Sequence, residues 1–142
     1  MTVRRLRIAV GALALVGAGI AGYLTWVHFA ALQPFCVGGG GGCERVQSSP
    51  YAELAGVPVA VIGLVGYLAI LGSLAPRDDR GRSVTAFLAF AGAGFSAYLT
   101  FVELVVIDAI CQWCVASAVV MTALAGVSVA YLLTAETGGA RA

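Results

Sequence analysis

Four long runs without a fixed charge dominate this 142-residue chain. Residues 8–32 carry no charge unless His28 is protonated, 54–75 lie between Glu53 and Arg77, 83–102 stop at Glu103, and 109–135 lie between Asp108 and Glu136. The hydrocarbon layer of a bilayer is about 30 Å thick and takes roughly 20 apolar helical residues to cross, so each run is long enough. Helix is the expected form, because an open strand would leave backbone groups without partners in lipid. With 61% hydrophobic and 11% charged residues and a mean hydropathy of +0.97, the chain carries more apolar surface than a soluble globule of its size can cover. A soluble enzyme, a disordered chain and a nucleic-acid binder are thereby excluded, the last also because a net charge of +1 leaves no basic footprint. The runs predict an all-α membrane protein. Its single four-helix transmembrane domain has helices at about 8–32, 56–75, 83–107 and 111–135 and an outer loop at 33–55.

Arginine placement orients the bundle. Arg4, Arg5 and Arg7 precede the first run, and Arg77, Arg80 and Arg82 fill the loop between the second and third. Arg141 follows the fourth, and Arg45 stands in the long loop on the opposite side. The positive-inside rule then makes both termini cytoplasmic, with the loop at 33–53 and the turn near Asp108 facing outward. A cleaved signal peptide is the rival reading of the first run, but its apolar stretch is too long for an ordinary h-region and continues through Tyr23, Trp26 and Phe29. Gly11, Gly17, Gly19, Gly22, Gly92 and Gly94 suit close helix contact, or reflect nothing beyond the tolerance of membrane helices for glycine.

The segment at 17–27 reads again at 92–102, sharing Gly-Ala-Gly at its start and Tyr-Leu-Thr-x-Val at its end. The same 75-residue offset carries Cys36 onto Cys111. Each half would then be an outward helix, a cysteine site at its outer end, and an inward helix.

All four cysteines, Cys36, Cys43, Cys111 and Cys114, fall on the outer side of this topology. That side is oxidising in a bacterium, so paired thiols there cycle or stay bridged. Cys111-Gln112-Trp113-Cys114 is a C-x-x-C at the start of the fourth helix, where the positive end of the helix dipole favours thiolate, the species that attacks disulfides. Cys36 and Cys43 enclose Val37 and five glycines, a segment free to swing between partners or simply a flexible loop. Two structural disulfides, or a metal site, are the alternatives to redox work. No His accompanies the cysteines in these loops as a zinc site would favour, and helices of this length stand without staples. A C-x-x-C at the bilayer edge can take electrons from a soluble dithiol outside and pass them to a lipid-soluble acceptor such as a quinone. Two cysteine pairs are the minimum for such a relay.

Cys36, Cys43, Val46, Ser49, Tyr51, Gly56 and Pro58, then Gly63 and Tyr67, then Cys111-x-x-Cys114, together resemble the vitamin K epoxide reductase family in its small bacterial form, over roughly residues 10–133. The resemblance implies a four-helix bundle around a quinone (menaquinone or ubiquinone), opening to the outside, with a loop or short helix as lid and no metal. It implies Cys114 as the quinone-facing thiol with Cys111 as its disulfide partner. Cys43 would carry electrons to Cys111 through a transient disulfide between the pairs, and Cys36 would exchange with an external thiol protein. Ser49 would orient the quinone. Many bacterial members carry a fused thioredoxin-like domain; this chain has no residues for one, so a separate DsbA-like protein is the expected partner. Vertebrate members hold the vitamin with an Asn, and this sequence has none, so quinone reduction is expected rather than epoxide reduction. The expected setting is a bacterial inner membrane with the site facing the periplasm, and the expected role is support of disulfide formation.

Tyr67 and Trp113 are further candidates for the quinone pocket, with helix packing and an interfacial belt as their alternatives. Tyr98 shares the choice made for Tyr67. Glu103 and His28 are candidates for proton transfer, because ionisable groups within apolar spans default to function; snorkelling at the interface is the alternative. Asp108 is expected to be a turn residue rather than a modulator of the thiols. Ser48-Ser49-Pro50, ahead of Tyr51, is expected to cap a short outer helix that lids the site, with an ordinary turn as the alternative. Two other functions stand beside the relay. One is a DsbB-type quinone reductase, which has the opposite order of cysteine pairs. The other is a non-enzymatic membrane scaffold with structural disulfides.

Overall fold

The computed structural model describes residues 2–32, 45, 49–50 and 53–141, with side chains as far as 137. Helix α1 spans Val3–Phe29. It starts ahead of the expected residue 8 because Thr2 caps it, its hydroxyl accepting the Arg5 N–H at 3.3 Å. Its 27 residues give about 40 Å of rise. Leu6, Val10, Ala14, Gly17, Ala21 and Leu24 recur on one buried face, while Ile8, Leu15, Val16 and Trp26 lie exposed on the other, the side that meets lipid.

A two-stranded hairpin, β1 (Glu53–Leu54) and β2 (Val57–Pro58), precedes α2 (Val59–Ser73). Ala55 and Gly56 both take positive φ, 55° and 83°, which is the backbone that a two-residue hairpin needs. The hairpin occupies residues expected in the second helix, so α2 begins at Val59 rather than 56 and has 15 residues, about 22 Å. Helix α3 (Asp79–Phe101) starts on Asp78, whose Oδ1 accepts the Gly81 N–H at 2.9 Å. It passes directly into a π-helical stretch, Val102–Ile107, that ends at Asp108 in the left-handed conformation, φ 55°. Helix α4 (Gln112–Arg141) completes the chain and runs past the expected residue 135.

The helices form a closed ring: α1 packs on α2 and α4, and α3 packs on the same two. Three of the four, counting α3 with its π extension, are long and apolar enough to cross a membrane, and α2 is the shorter apolar member. At one end Arg7 donates from both Nε and Nη2 to the carbonyl of Leu74, the residue that caps α2 (3.1 and 2.7 Å), and Arg82 lies 5.8 Å over the Tyr131 ring of α4. Ser73 Oγ and Thr85 Oγ1, 2.6 Å apart, tie α2 to α3 near that end. Arg4, Arg5, Arg7, Arg77, Arg80 and Arg82 therefore gather at the end opposite Glu103 and the C-x-x-C, while Arg45 stands at the other end, donating to the Ile107 carbonyl.

The structure separates the two readings of the glycines. A Cβ on Gly17 would overlap the Tyr67 ring, whose Cδ1 would be 2.5 Å away, and one on Gly92 would meet Met121 Sδ at 2.7 Å. Gly11 touches Leu74 at an ordinary 3.6 Å. Gly19, Gly22 and Gly94 face open space and serve no helix contact. With Gly17 beneath it, Tyr67 is 1% exposed and reaches across the ring to α4. There its hydroxyl donates to the Ser117 carbonyl at 2.9 Å and lies 2.8 Å from the Ser117 hydroxyl.

Candidate functional site

The π stretch is what assembles the site. A wider turn shifts the register of the side chains that follow, and such turns often sit at functional positions. Here Ala109 N–H returns to the Glu103 carbonyl at 3.1 Å, and Asp108 reverses the chain in the turn role expected of it. The reversal brings Cys111 back beside Glu103, so that the Cys111 N–H donates to Glu103 Oε2 at 3.2 Å. Cys111 then stands as the cap of α4, its carbonyl accepting the Val115 N–H at 3.0 Å. Cys114 falls in the first helical turn, where the helix dipole favours negative charge.

Cys111 and Cys114 are both thiols, in hydrogen-bond contact with each other, and the Cys114 thiol also meets the Glu103 carboxylate. Cys111 is fully buried, packed by Ile107, Ala109 and Trp113, while Cys114 is half-buried. Glu103 is 3% exposed. Removing a carboxylate from water costs several kcal/mol unless it is hydrogen-bonded, and these two contacts supply what the lipid side cannot.

Inside the ring lies a cavity of about 140 Å³, with walls from all four helices. An apolar cavity of about 150 Å³ is enough to hold benzene, so one aromatic ring is the scale of ligand that fits. Leu24, Gly63 and Leu99 are among its apolar walls; Ser49, Tyr67, Glu103, Cys114 and Ser117 are among its polar residues, with Ser96 and Thr100. Few polar groups in an apolar chamber is the usual make-up of a small-molecule site.

Of the residues singled out from sequence, Ser49, Tyr67, Glu103 and Cys114 thus come together on this cavity. Trp113 is not on its wall: its ring packs 4.9 Å from that of Tyr23, and it covers Cys111. Tyr98 is 52% exposed. His28 lies in the last turn of α1 with its Nε2 3.6 Å from Glu53 Oε1 in the hairpin, and it meets neither cysteine of the pair. Cys36, Cys43, Val46, Tyr51, the glycine run and most of the expected lid lie outside the described residues. Ser117 was not foreseen; its signal was its place one turn after Cys114 on the same helix.

Fold and site define a class: an all-α membrane bundle with a sulfur pair and a buried carboxylate at one end of an apolar chamber. The chain belongs to the vitamin K epoxide reductase family, whose sequence profile matches residues 8–129. It is also similar to the thiol-disulfide oxidoreductase LTO1 of Arabidopsis thaliana, 31% identical over 107 residues. That match takes in 68% of this chain and 28% of the relative, so the chain spans little more than a quarter of that protein's length.

Proposed function

We propose that the protein is a membrane thiol–disulfide oxidoreductase that passes electrons from a DsbA-like, thioredoxin-fold protein outside the membrane to a quinone, and so supports disulfide formation. In this reading Cys36 and Cys43 receive the electrons, Cys111 and Cys114 relay them, and the arginine-rich end faces the cytoplasm of a bacterium. The observation that carries the reading is the position of Cys114, which touches Cys111 on one side and lines the cavity on the other. A sulfur so placed can exchange with a disulfide partner and still face a ring-sized apolar molecule.

Each step conserves electrons and atoms. The partner's dithiol becomes a disulfide as the Cys36–Cys43 disulfide becomes two thiols. Those thiols then reduce a Cys111–Cys114 disulfide in the same way, by thiolate attack and release of a thiolate. Closing that disulfide again delivers two electrons to the quinone, which leaves with two protons as hydroquinone. The Ser49 hydroxyl and the Tyr67–Ser117 pair are the groups on the cavity wall that orient a ring oxygen, and the apolar walls keep bulk water from it. The test mixes purified protein with a reduced DsbA-like protein and a soluble short-chain quinone and follows quinone absorbance. The wild type should turn over and Cys114→Ala should not, while retaining a mixed disulfide at the outer pair. Absence of turnover in the wild type, with no mixed disulfide trapped by Cys114→Ala, supports a scaffold with structural disulfides instead.

A further inference from the structure

Among the described residues, Glu103 is the only buried side chain that carries a formal charge. The chain abandons regular α-helix around it, and one of its oxygens takes the Cys111 backbone N–H. An amide would accept that bond equally well, and a leucine would suit the surroundings better. What an acid adds is the capacity to take up and return a proton, and the atom in reach is the thiol hydrogen of Cys114.

The geometry points to Glu103 as the proton carrier of the Cys111/Cys114 pair: its carboxylate takes the Cys114 thiol proton as that sulfur reacts and returns it when the electrons have left. This rests on the proposed reading of the pair as a redox couple. When the dithiol closes to a disulfide it gives up two electrons and two protons. One proton passes from Cys114 Sγ to the Glu103 carboxylate and from there to an oxygen of the quinone, which restores the carboxylate. The second, from Cys111, leaves to water at the outer mouth, and the other quinone oxygen takes one from water. The site keeps a single negative charge while sulfur and carboxylate trade the proton, so no new charge has to be created inside the bundle. Among the described residues, the other titratable or charged groups around Glu103 and Cys114 are the Cys111 thiol, the Tyr67 hydroxyl across the cavity, Tyr23 against Trp113, Asp108 on the turn, and Arg45, whose Nη2 donates to the Ile107 carbonyl at 3.3 Å.

A proton traded within one pair draws none from solvent, and this has a sharp signature. With reduced full-length protein in detergent, in a Cys111→Ser background that leaves one thiol in the pair, iodoacetamide labelling of Cys114 is followed by peptide mass spectrometry between about pH 6 and 9. With Glu103 present the rate should be flat across that range. With Glu103→Gln it should climb about tenfold per pH unit, since each thiolate must then form by losing a proton to water. Glu103→Asp should restore a flat profile. With both cysteines present, Glu103→Gln should slow single-turnover quinone reduction about a hundredfold with the quinone concentration dependence unchanged. A tenfold-per-unit slope with Glu103 in place, or equal slopes with and without it, overturns the assignment. Since the profile with Glu103 in place decides alone, a Gln variant that fails to fold does not rescue the idea. If no quinone is reduced but the profiles differ as stated, the carrier role stands and the quinone reading falls.

Discussion

Gly17→Ala should be the most damaging of the Gly→Ala changes in α1. The new Cβ would lie 2.5 Å from Tyr67 Cδ1, whereas carbon atoms pack at about 3.5–4.0 Å, so the ring has to retreat by at least about 1 Å. Tyr67 has little room for this, being 1% exposed and bonded at its far end to Ser117. Overpacking of this kind costs about 1–3 kcal/mol. Loss of the Tyr67–Ser117 bonds adds about 0.6 kcal/mol, an average figure for polar contacts between membrane helices. The expected loss is therefore about 1.6–3.6 kcal/mol, measured by reversible unfolding in mixed micelles with increasing dodecyl sulfate. Gly19→Ala and Gly22→Ala are the controls: nothing lies within 4 Å of either, and better helix propensity makes them neutral or stabilising by up to about 1 kcal/mol. In a Tyr67→Val background the cost of Gly17→Ala should fall by more than half, because the obstructing ring is gone. Equal costs at positions 17, 19 and 22, or an unchanged cost without the ring, would show the Gly17–Tyr67 packing to be wrong.

Tyr67→Phe removes the hydroxyl and keeps the ring, so it should cost about 0.6–1.7 kcal/mol in the same assay and raise the quinone concentration needed for half-maximal turnover. Asp108→Gly should leave stability equal or higher, as glycine takes the 55° φ without strain, while Asp108→Val should cost about 1–2 kcal/mol. Loss of activity in a stable Asp108→Gly variant would give the carboxylate a chemical role that the turn does not require. Asp78→Ala should cost about 1 kcal/mol through the lost cap on α3, and Asp78→Asn much less, both read by unfolding.

What the sequence revealed follows from which forces act locally. Charge-free runs are a statement about lipid, and the helices and the gathering of arginine at one end were legible from them. The shortness of α2 was not, because Ala55-Gly56 inside an uncharged run gives little sign of a hairpin until two positive φ angles are seen. Glycine frequency could not say which glycines matter, since Gly17 and Gly19 differ only in the direction they face. Glu103 stood out as an acid at the end of an apolar run, but its partners were hidden. Regular helix does not return Cys111 to it, and the π stretch with a left-handed Asp108 does. Trp113 was ambiguous for another reason: an aromatic beside a cysteine suits a ligand or a neighbour equally, and here Tyr23 is the neighbour.

The brevity of α2 makes bilayer thickness a variable for this protein. Its 15 residues reach about 8 Å less than a hydrocarbon layer of ordinary depth. Lipid along that flank has to dip, or the whole bundle has to lean to hide the shortfall, each at a fraction of a kcal/mol per ångström. Membranes of short acyl chains would relieve the distortion and long ones would deepen it.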